Sequence, residues 1–361
     1  MKKYIHLNRH SLLAFATAIT LITNYAYCQT VITQKEPAQN KVYAGRAASL
    51  GIIGDTTDVH RPVKAGLVLM GGGRDVDAAF KWMIDRCGGG NVVIIRASGT
   101  NAYNSYVYGL GKISSVETLK IDTREIAEND DVVRIIRNAE MLFIAGGDQS
   151  VYMQQWKGTK TADVVNYLIN KKKVPVGGTS AGCAILGQFY YTGEHGSAIS
   201  AKVLQNPYDS SVTIYKNDFI QAALLKNVLT DQHYITRSRQ GRHVTFMSRL
   251  ITDWNVFPKG IAADERTAVC INEKGIAEVF GSSKAYFIRS YRHKLPEACE
   301  PDKPLRWFAD TKALKVYEIE GTVEGNGRFN VVNFKSAKAK GGIWYWWWVE
   351  KGELKHAKIP I

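Results

Sequence analysis

The sequence is poor in the residues that announce a metal centre, a disulfide scaffold or a nucleotide site. Five of its 361 residues are cysteines, and no two stand at metal-ligand spacing. A chain this long needs no disulfides to hold a core, so Cys183 and Cys270, in apolar surroundings, read as small core residues. Neither G-x-G-x-x-G nor a lysine-bearing phosphate loop occurs. The glycines of "GGGRD" (71–75) therefore read as the rim of a pocket, and no metal or organic cofactor is expected. Positive charge is plentiful, at a formal +14, yet it is spread along the chain with no recognition motif beside it. That pattern favours anionic partners in general and excludes nucleic acid as the expected one. No apolar run approaches the roughly 18 residues of a membrane span, and no internal repeat is evident.

What is present begins with a targeting signal. Residues 1–28 carry basic Lys2, Lys3 and Arg9, the apolar "SLLAFATAITLI", and small residues Ala26 and Cys28 at the −3 and −1 positions before Gln29. Those are the three parts of a secretory signal peptide, so a secreted or periplasmic protein of net charge +11 is expected after cleavage. Lipid anchoring through Cys28 is the alternative, and the bulk of Tyr27 argues against it.

Residues 29–64 read as a loosely packed leader. From 65 onward, apolar runs alternate with helical patterns. "AGLVLMGGG", "NVVIIRASG", "EMLFIAGGDQ" and "VPVGGTS" are read as strands, with "EIAENDDVVRIIRNA" and "AGCAILGQFYY" as helices. Continuous apolar strands, each followed by a helix, predict an α/β fold with a mainly parallel sheet covered on both faces. A catalytic domain is assigned to 65–295 and a linker to 296–304. Residues 305–361 are assigned to a small β-rich extension, whose "IWYWWWVE" (343–350) reads as a packing seam or a carbohydrate surface.

In such sheets reactive groups gather where the carboxyl ends of strands give way to loops. Those ends carry "GGGRD", "RASG", "GGDQ" and "GGTSAG". The last fits the G-x-S-x-G elbow, in which a strand-to-helix turn exposes a nucleophile, here Ser180. The alternative is a plain helix cap. The amide of Ala181 is a natural oxyanion donor, and the turn around Gly147 supplies a second. A serine hydroxyl needs a base. Among the histidines, His233 stands out in the polar cluster Asp231, Gln232, Arg237, Arg239 and Arg242, while His195 adjoins Glu194.

Together "GGDQ", "GGTSAG", "DQHY" with arginines four, six and nine residues after the histidine, and "GIAADERTAV" resemble the cyanophycinases. These are serine hydrolases related to dipeptidase E with a class I amidotransferase-like α/β fold. The resemblance covers about residues 65–290. It implies Ser180 as nucleophile and His233 as base, with Gln149, Asp231, Gln232, Arg237, Arg239 and Arg242 lining the substrate site. It further implies cyanophycin as substrate, a polyaspartate whose side chains are amide-linked to arginine, and β-Asp-Arg dipeptides as products. The residues suit such a ligand, since arginines grip carboxylates bidentately and Asp231 can pair with a guanidinium.

For the third member, Glu194 suits the order serine–acid–histidine, with Glu265 and Asp209 as rivals. Asp148 reads as a turn-ordering residue. Cys183, one step past the elbow, is the candidate for a competing thiol mechanism. The remaining alternatives are an aspartyl dipeptidase on the same fold and an envelope binding protein without catalysis. The expected partner is a peptide or cyanophycin-type polymer, with a homodimer as candidate assembly.

Overall fold

The computed structural model describes Lys41, Arg46 and residues 48–360, so the signal-peptide reading lies outside the described residues. Among the described residues, no helix is long and apolar enough to cross a membrane. The described residues form one compact unit.

Among the described residues, seventeen strands build two sheets. In chain order they are β1 (Ser49–Gly54), β2 (Gly66–Met70), β3 (Asn91–Arg96), β4 (Ser115–Lys120), β5 (Met141–Ile144), β6 (Pro175–Thr179), β7 (Phe189–Tyr191), β8 (Ile214–Lys216) and β9 (Val228–Asp231). Then come β10 (Lys259–Ala263), β11 (Thr267–Asn272), β12 (Ile276–Gly281), β13 (Lys284–Arg289), β14 (Leu314–Glu320), β15 (Asn326–Asn330), β16 (Gly342–Glu350) and β17 (Glu353–Lys358). The first sheet runs β1-β4-β3-β5-β6-β2-β11-β12-β15, the second β17-β16-β14-β13-β10-β9-β7-β8.

The α/β class stands, but the sheets are mixed rather than mainly parallel. Among the described residues, parallel ladders are confined to β4-β3-β5-β6-β2 in the first sheet and to β7-β9-β10 in the second. Every other ladder is antiparallel, and after β10 no α-helix stands between successive strands to make the crossover a parallel pair needs. Residues 49–54, inside the supposed loose leader, form an antiparallel edge strand on β4. The supposed helix "AGCAILGQFYY" stops at Ala184, and Phe189–Tyr191 is a strand. The segment 305–361 is not set apart: β14 extends the second sheet from β13, and β15 closes the edge of the first on β12.

Side-chain alternation sorts the core into layers. In β2, Val68 and Met70 pack under the helices Asp77–Arg86 and Ala102–Gly109 with Phe80, Met83 and Val107. Leu67 and Leu69 face the opposite way, into a core shared with Ile261, Phe287 and Ile319 of the second sheet. The far side of that sheet, with Leu229 and Ile288, is covered by the helix Gln240–Trp254 through Val244, Met247 and Leu250. The two sheets thus meet over one core, shared with the helices Asp130–Asn138, Gln149–Trp156 and Lys160–Tyr167, while other helices cover the outer face of each.

The tryptophans divide by the same rule. Trp347 is buried against the helical layer. On the other face of β16, Trp346 lies under the Lys294 ammonium and Trp344 under that of Lys315. They act as a packing seam capped by cations.

Candidate active site

Ser180 follows β6 at the start of the four-residue helix Ala181–Ala184, with φ 52° and ψ −116°. Few non-glycine residues hold such a conformation, at a cost of about 1–3 kcal/mol. The surroundings fix it: Ser180 N donates to Met70 O at 3.0 Å, and Ala184 N donates to Ser180 O at 3.0 Å. Glycines are required by close approach. A Cβ on Gly178 would stand 2.5 Å from the Gly182 backbone, and one on Gly182 would stand 2.2 Å from Ile144 O. The elbow fits because its flanks lack side chains.

His233 comes from the other sheet, just past the end of β9. Its Nε2 lies 2.7 Å from Ser180 Oγ, and its Nδ1 lies 2.6 Å from Glu265 Oε1. Glu265 sits in the short turn between β10 of the second sheet and β11 of the first. The chain order is therefore serine–histidine–acid. Glu194 is corrected: it is exposed and accepts the Tyr215 hydroxyl at 2.7 Å. Asp209 is likewise engaged elsewhere, with Ser211 and Lys202. These contacts, the Ser211 hydroxyl first, push its carboxyl down to about 2.

The glycine loop 71–73 forms the floor beneath the imidazole. A Cβ on Gly72 would lie 2.4 Å from His233 Cε1, and one on Gly73 would lie 2.9 Å from Glu265 Oε2. His233 N donates to Gly71 O at 2.8 Å. Asp264, overlooked by sequence reasoning although it adjoins Glu265, braces the histidine loop. Its Oδ1 accepts from Ile235 N and Thr236 N, both at 2.9 Å, and its Oδ2 accepts from Ser283 Oγ at 2.8 Å.

Electrostatics suit a base. Burial lowers the His233 pKa below its usual value, and Arg237 and Arg239 push it the same way against the Glu265 hydrogen bond, which raises it. The imidazole is thus neutral near pH 7, with a carboxylate ready to stabilise its charged form. Cys183 is fully buried and burial pushes its thiol well up, which removes the thiolate a sulfur nucleophile needs.

The polar cluster divides. Asp231 and Arg242 are buried and bonded to each other, Nε donating to Oδ2 at 3.0 Å with a second contact from the guanidinium to Oδ1. Neither is free to hold a ligand, which corrects both assignments. Arg239 is largely buried and donates to Gln232 through both the backbone carbonyl and Oε1. Arg237 alone of the three is exposed, its Nε 3.8 Å from Glu265. Gln149 opens the helix Gln149–Trp156 beside Gly193. Asp148 caps that helix by accepting from Ser150 N at 2.9 Å, an ordering role as read from the sequence.

At the anticipated oxyanion turn, the backbone beside Ser180 Cβ is that of Gly146, while Gly147 lies against Tyr152. Tyr152 OH contacts Ala145 O at 2.9 Å and Gly146 O at 3.1 Å. A trans peptide turns the Gly147 N–H away from that hydroxyl.

A hydroxyl, an imidazole and a carboxylate in series at a strand-to-helix elbow define the class of serine hydrolases. Residues 67–279 match peptidase family S51. The chain belongs to this family of serine-type peptidases. A curated cyanophycinase from Nostoc sp. is 27% identical over 175 residues, covering 48% of this chain and 53% of the relative. The chain thus spans about half the length of the first curated relatives it matches. A cyanophycinase from Synechococcus elongatus is 25% identical over 261 residues, 68% of this chain and 74% of the relative. Among solved structures, a peptidase from an acI-B1 actinobacterium aligns at 16% identity and a TM-score of 0.46, covering 62% of this chain and 91% of that one.

Proposed function

We propose that the protein is a serine peptidase that cleaves β-aspartyl peptide bonds through an acyl-enzyme, with cyanophycin or its fragments as substrate. The observation that carries this reading is the unbroken series from Ser180 Oγ through His233 to Glu265, with links of 2.7 and 2.6 Å.

Ser180 Oγ attacks the scissile carbonyl as its proton passes to His233 Nε2. Glu265 holds Nδ1–H and stabilises the imidazolium. The N–H groups of Ala181 and Gly147 are the proposed donors to the oxyanion. Collapse of the tetrahedral intermediate breaks the C–N bond, and the imidazolium returns the proton to the leaving amine. Water, activated by the same imidazole, then releases the acyl group. Arg237, exposed at the rim, is the side chain available to a substrate carboxylate. Gln149 and the Gln232–Arg239 pair are proposed to contact the ligand beside it. The cyanophycinase relatives supply the substrate class.

To test this, purified protein is incubated with cyanophycin and with an isoaspartyl dipeptide, and amine release and β-Asp-Arg are measured. Polymer turnover exceeding dipeptide turnover supports the cyanophycinase reading, and the reverse supports a dipeptidase. Loss of all release in Ser180→Ala and His233→Ala is expected. Full activity in either variant would refute the assignment.

A further inference from the structure

One end of the second sheet carries a line of positive charge where its inner face leaves the shared core. Lys259 of β10 stands opposite Arg289 of β13, Arg289 opposite Lys315 of β14, and Lys315 opposite Trp346 of β16. Two positions along the same strands, Ile261, Phe287, Tyr317 and Trp344 lie in or against that core. Alternation therefore turns Lys259, Arg289 and Lys315 to one face, in a single row across neighbouring strands. The row is remote from catalysis, since Lys259 opens β10 and Glu265 follows the other end of that strand.

Like charges directly opposite one another repel, and no carboxylate answers these. Lys259, Arg289 and Lys315 make no ion pair among the described residues. Lys259 Nζ donates to Val332 O at 2.7 Å and Arg289 Nη1 to Phe334 O at 3.4 Å, while Lys315 Nζ meets no acceptor among the described residues. The bed beneath is aromatic: Lys259 lies 5.0 Å from the centre of the Phe334 ring, Arg289 4.8 Å from Tyr291 and Lys315 4.6 Å from Trp344. Lys294, 4.3 Å from the Trp346 ring, extends the row. Burial first, and then Arg289, lower the pKa of both Lys259 and Lys315. Acids on this face of β16 and β17 stand only at the hairpin tip, where Glu350 is held by Lys355 and Glu353 lies opposite Glu350. The adjoining segment 331–340 adds Lys335, Lys338 and Lys340 and contains no acid.

Such a row calls for a ligand with several negative charges. Strands lie about 4.8 Å apart, so the three cations span about 10 Å. They are half-buried, whereas the flanking Leu295 and Val332 are exposed. A slender chain with carboxylates on flexible side chains reaches charges set in this way, and a flat bilayer surface does not. Sugar rings need bare aromatic faces, which the cations here already cover. Ammonium groups take carboxylates as point charges, and a guanidinium takes them bidentately. We infer that the row Lys259–Arg289–Lys315 is a docking site for an acidic peptide chain, at the end of the sheet away from Ser180.

Labelled tetra-aspartate, long enough to cover the row at about 13 Å when extended, tests this by anisotropy with Ser180→Ala protein at low and high salt. The readout is independent of hydrolysis and so of the proposed function. Saturable binding that salt weakens is expected, with no binding of tetra-lysine. Adding Arg289→Gln and Lys315→Gln together should raise Kd about tenfold. Adding Lys315→Arg alone keeps the charge and should leave Kd within about twofold, a rescue that a merely structural loss would not show. Absence of tetra-aspartate binding, equal binding of tetra-lysine, indifference to the paired substitution or failure of the Lys315→Arg rescue would each overturn the inference. So would weakening by Arg237→Gln in place of the paired substitution, which puts the peptide at the catalytic rim, or sedimentation with phosphatidylglycerol vesicles without peptide binding.

Discussion

Replacing Glu265 by glutamine is the sharpest probe of the proposed mechanism, because shape is kept while charge is removed. During attack His233 acquires a proton beside this carboxylate, whose Oε1 is 2.6 Å from Nδ1. With charge centres about 4 Å apart and an effective dielectric near 20, the attraction is about 4 kcal/mol. The Glu265 side chain is 25% exposed, and water screening reduces this to about 2–3 kcal/mol. At about 1.4 kcal/mol per decade, kcat/KM should fall roughly 100-fold. An amide that also holds the wrong imidazole tautomer extends the loss toward about 10⁴-fold.

The pH profile supplies a second readout. Activity rises as His233 loses its proton, with a half-point below about 6.5, because burial first and Arg237 next depress that pKa. Glu265 is the contribution that raises it, so the half-point in Glu265→Gln should move to still lower pH while the plateau drops. The assay is initial-rate amine release from the isoaspartyl substrate between pH 4 and 9, with Glu194→Gln beside it (roughly wild-type rates expected). Activity of Glu265→Gln within threefold of wild type, an upward shift of the half-point, or an equal loss in Glu194→Gln would refute the reasoning.

Three further outcomes are expected. Ser180→Gly should be more stable than Ser180→Ala by about 1 kcal/mol in urea unfolding, since only glycine tolerates φ 52° without strain. Arg242→Met strands the buried Asp231 charge and should cost about 3–5 kcal/mol in the same assay, most of it recovered in Asp231→Leu/Arg242→Met. Asp264→Ala should remove about 2–4 kcal/mol by deleting the acceptor of three hydrogen bonds. Burial raises the Asp264 pKa, but its hydrogen bonds outweigh this and leave it depressed. That stability is therefore present above the unfolded value near 4 and is lost as pH falls through the folded one. The gap between Asp264→Ala and wild type should accordingly close in acid.

The proposed nucleophile and base were legible because each sits in a local pattern: a serine between glycines after an apolar strand, and a histidine in a dense polar run. Glu265 was harder because its role depends on a chain path crossing from one sheet to the other, which local spacing does not encode. Glu194 satisfied the expected order of residues but lies on an exposed turn. The arginine cluster misled for a related reason. Arg242 lies on the inward face of a helix and finds Asp231 eleven residues back, a contact visible only once that helix is packed. Strand β4 escaped notice because Glu117 and Lys120 interrupt its apolar pattern, although Glu117 is buried and paired with Arg46. Parallel strands were recognisable by the helices after them, and the antiparallel ones beyond β10 lacked that punctuation.

The proposed nucleophile belongs to one sheet and its proposed base to the other, while the proposed acid rides on the connection between them. Turnover therefore monitors the alignment of two slabs that share a core, and a slip of an ångström between them would silence the enzyme while both ladders remained intact. In rising denaturant, catalysis should fail before circular dichroism registers any loss of strand.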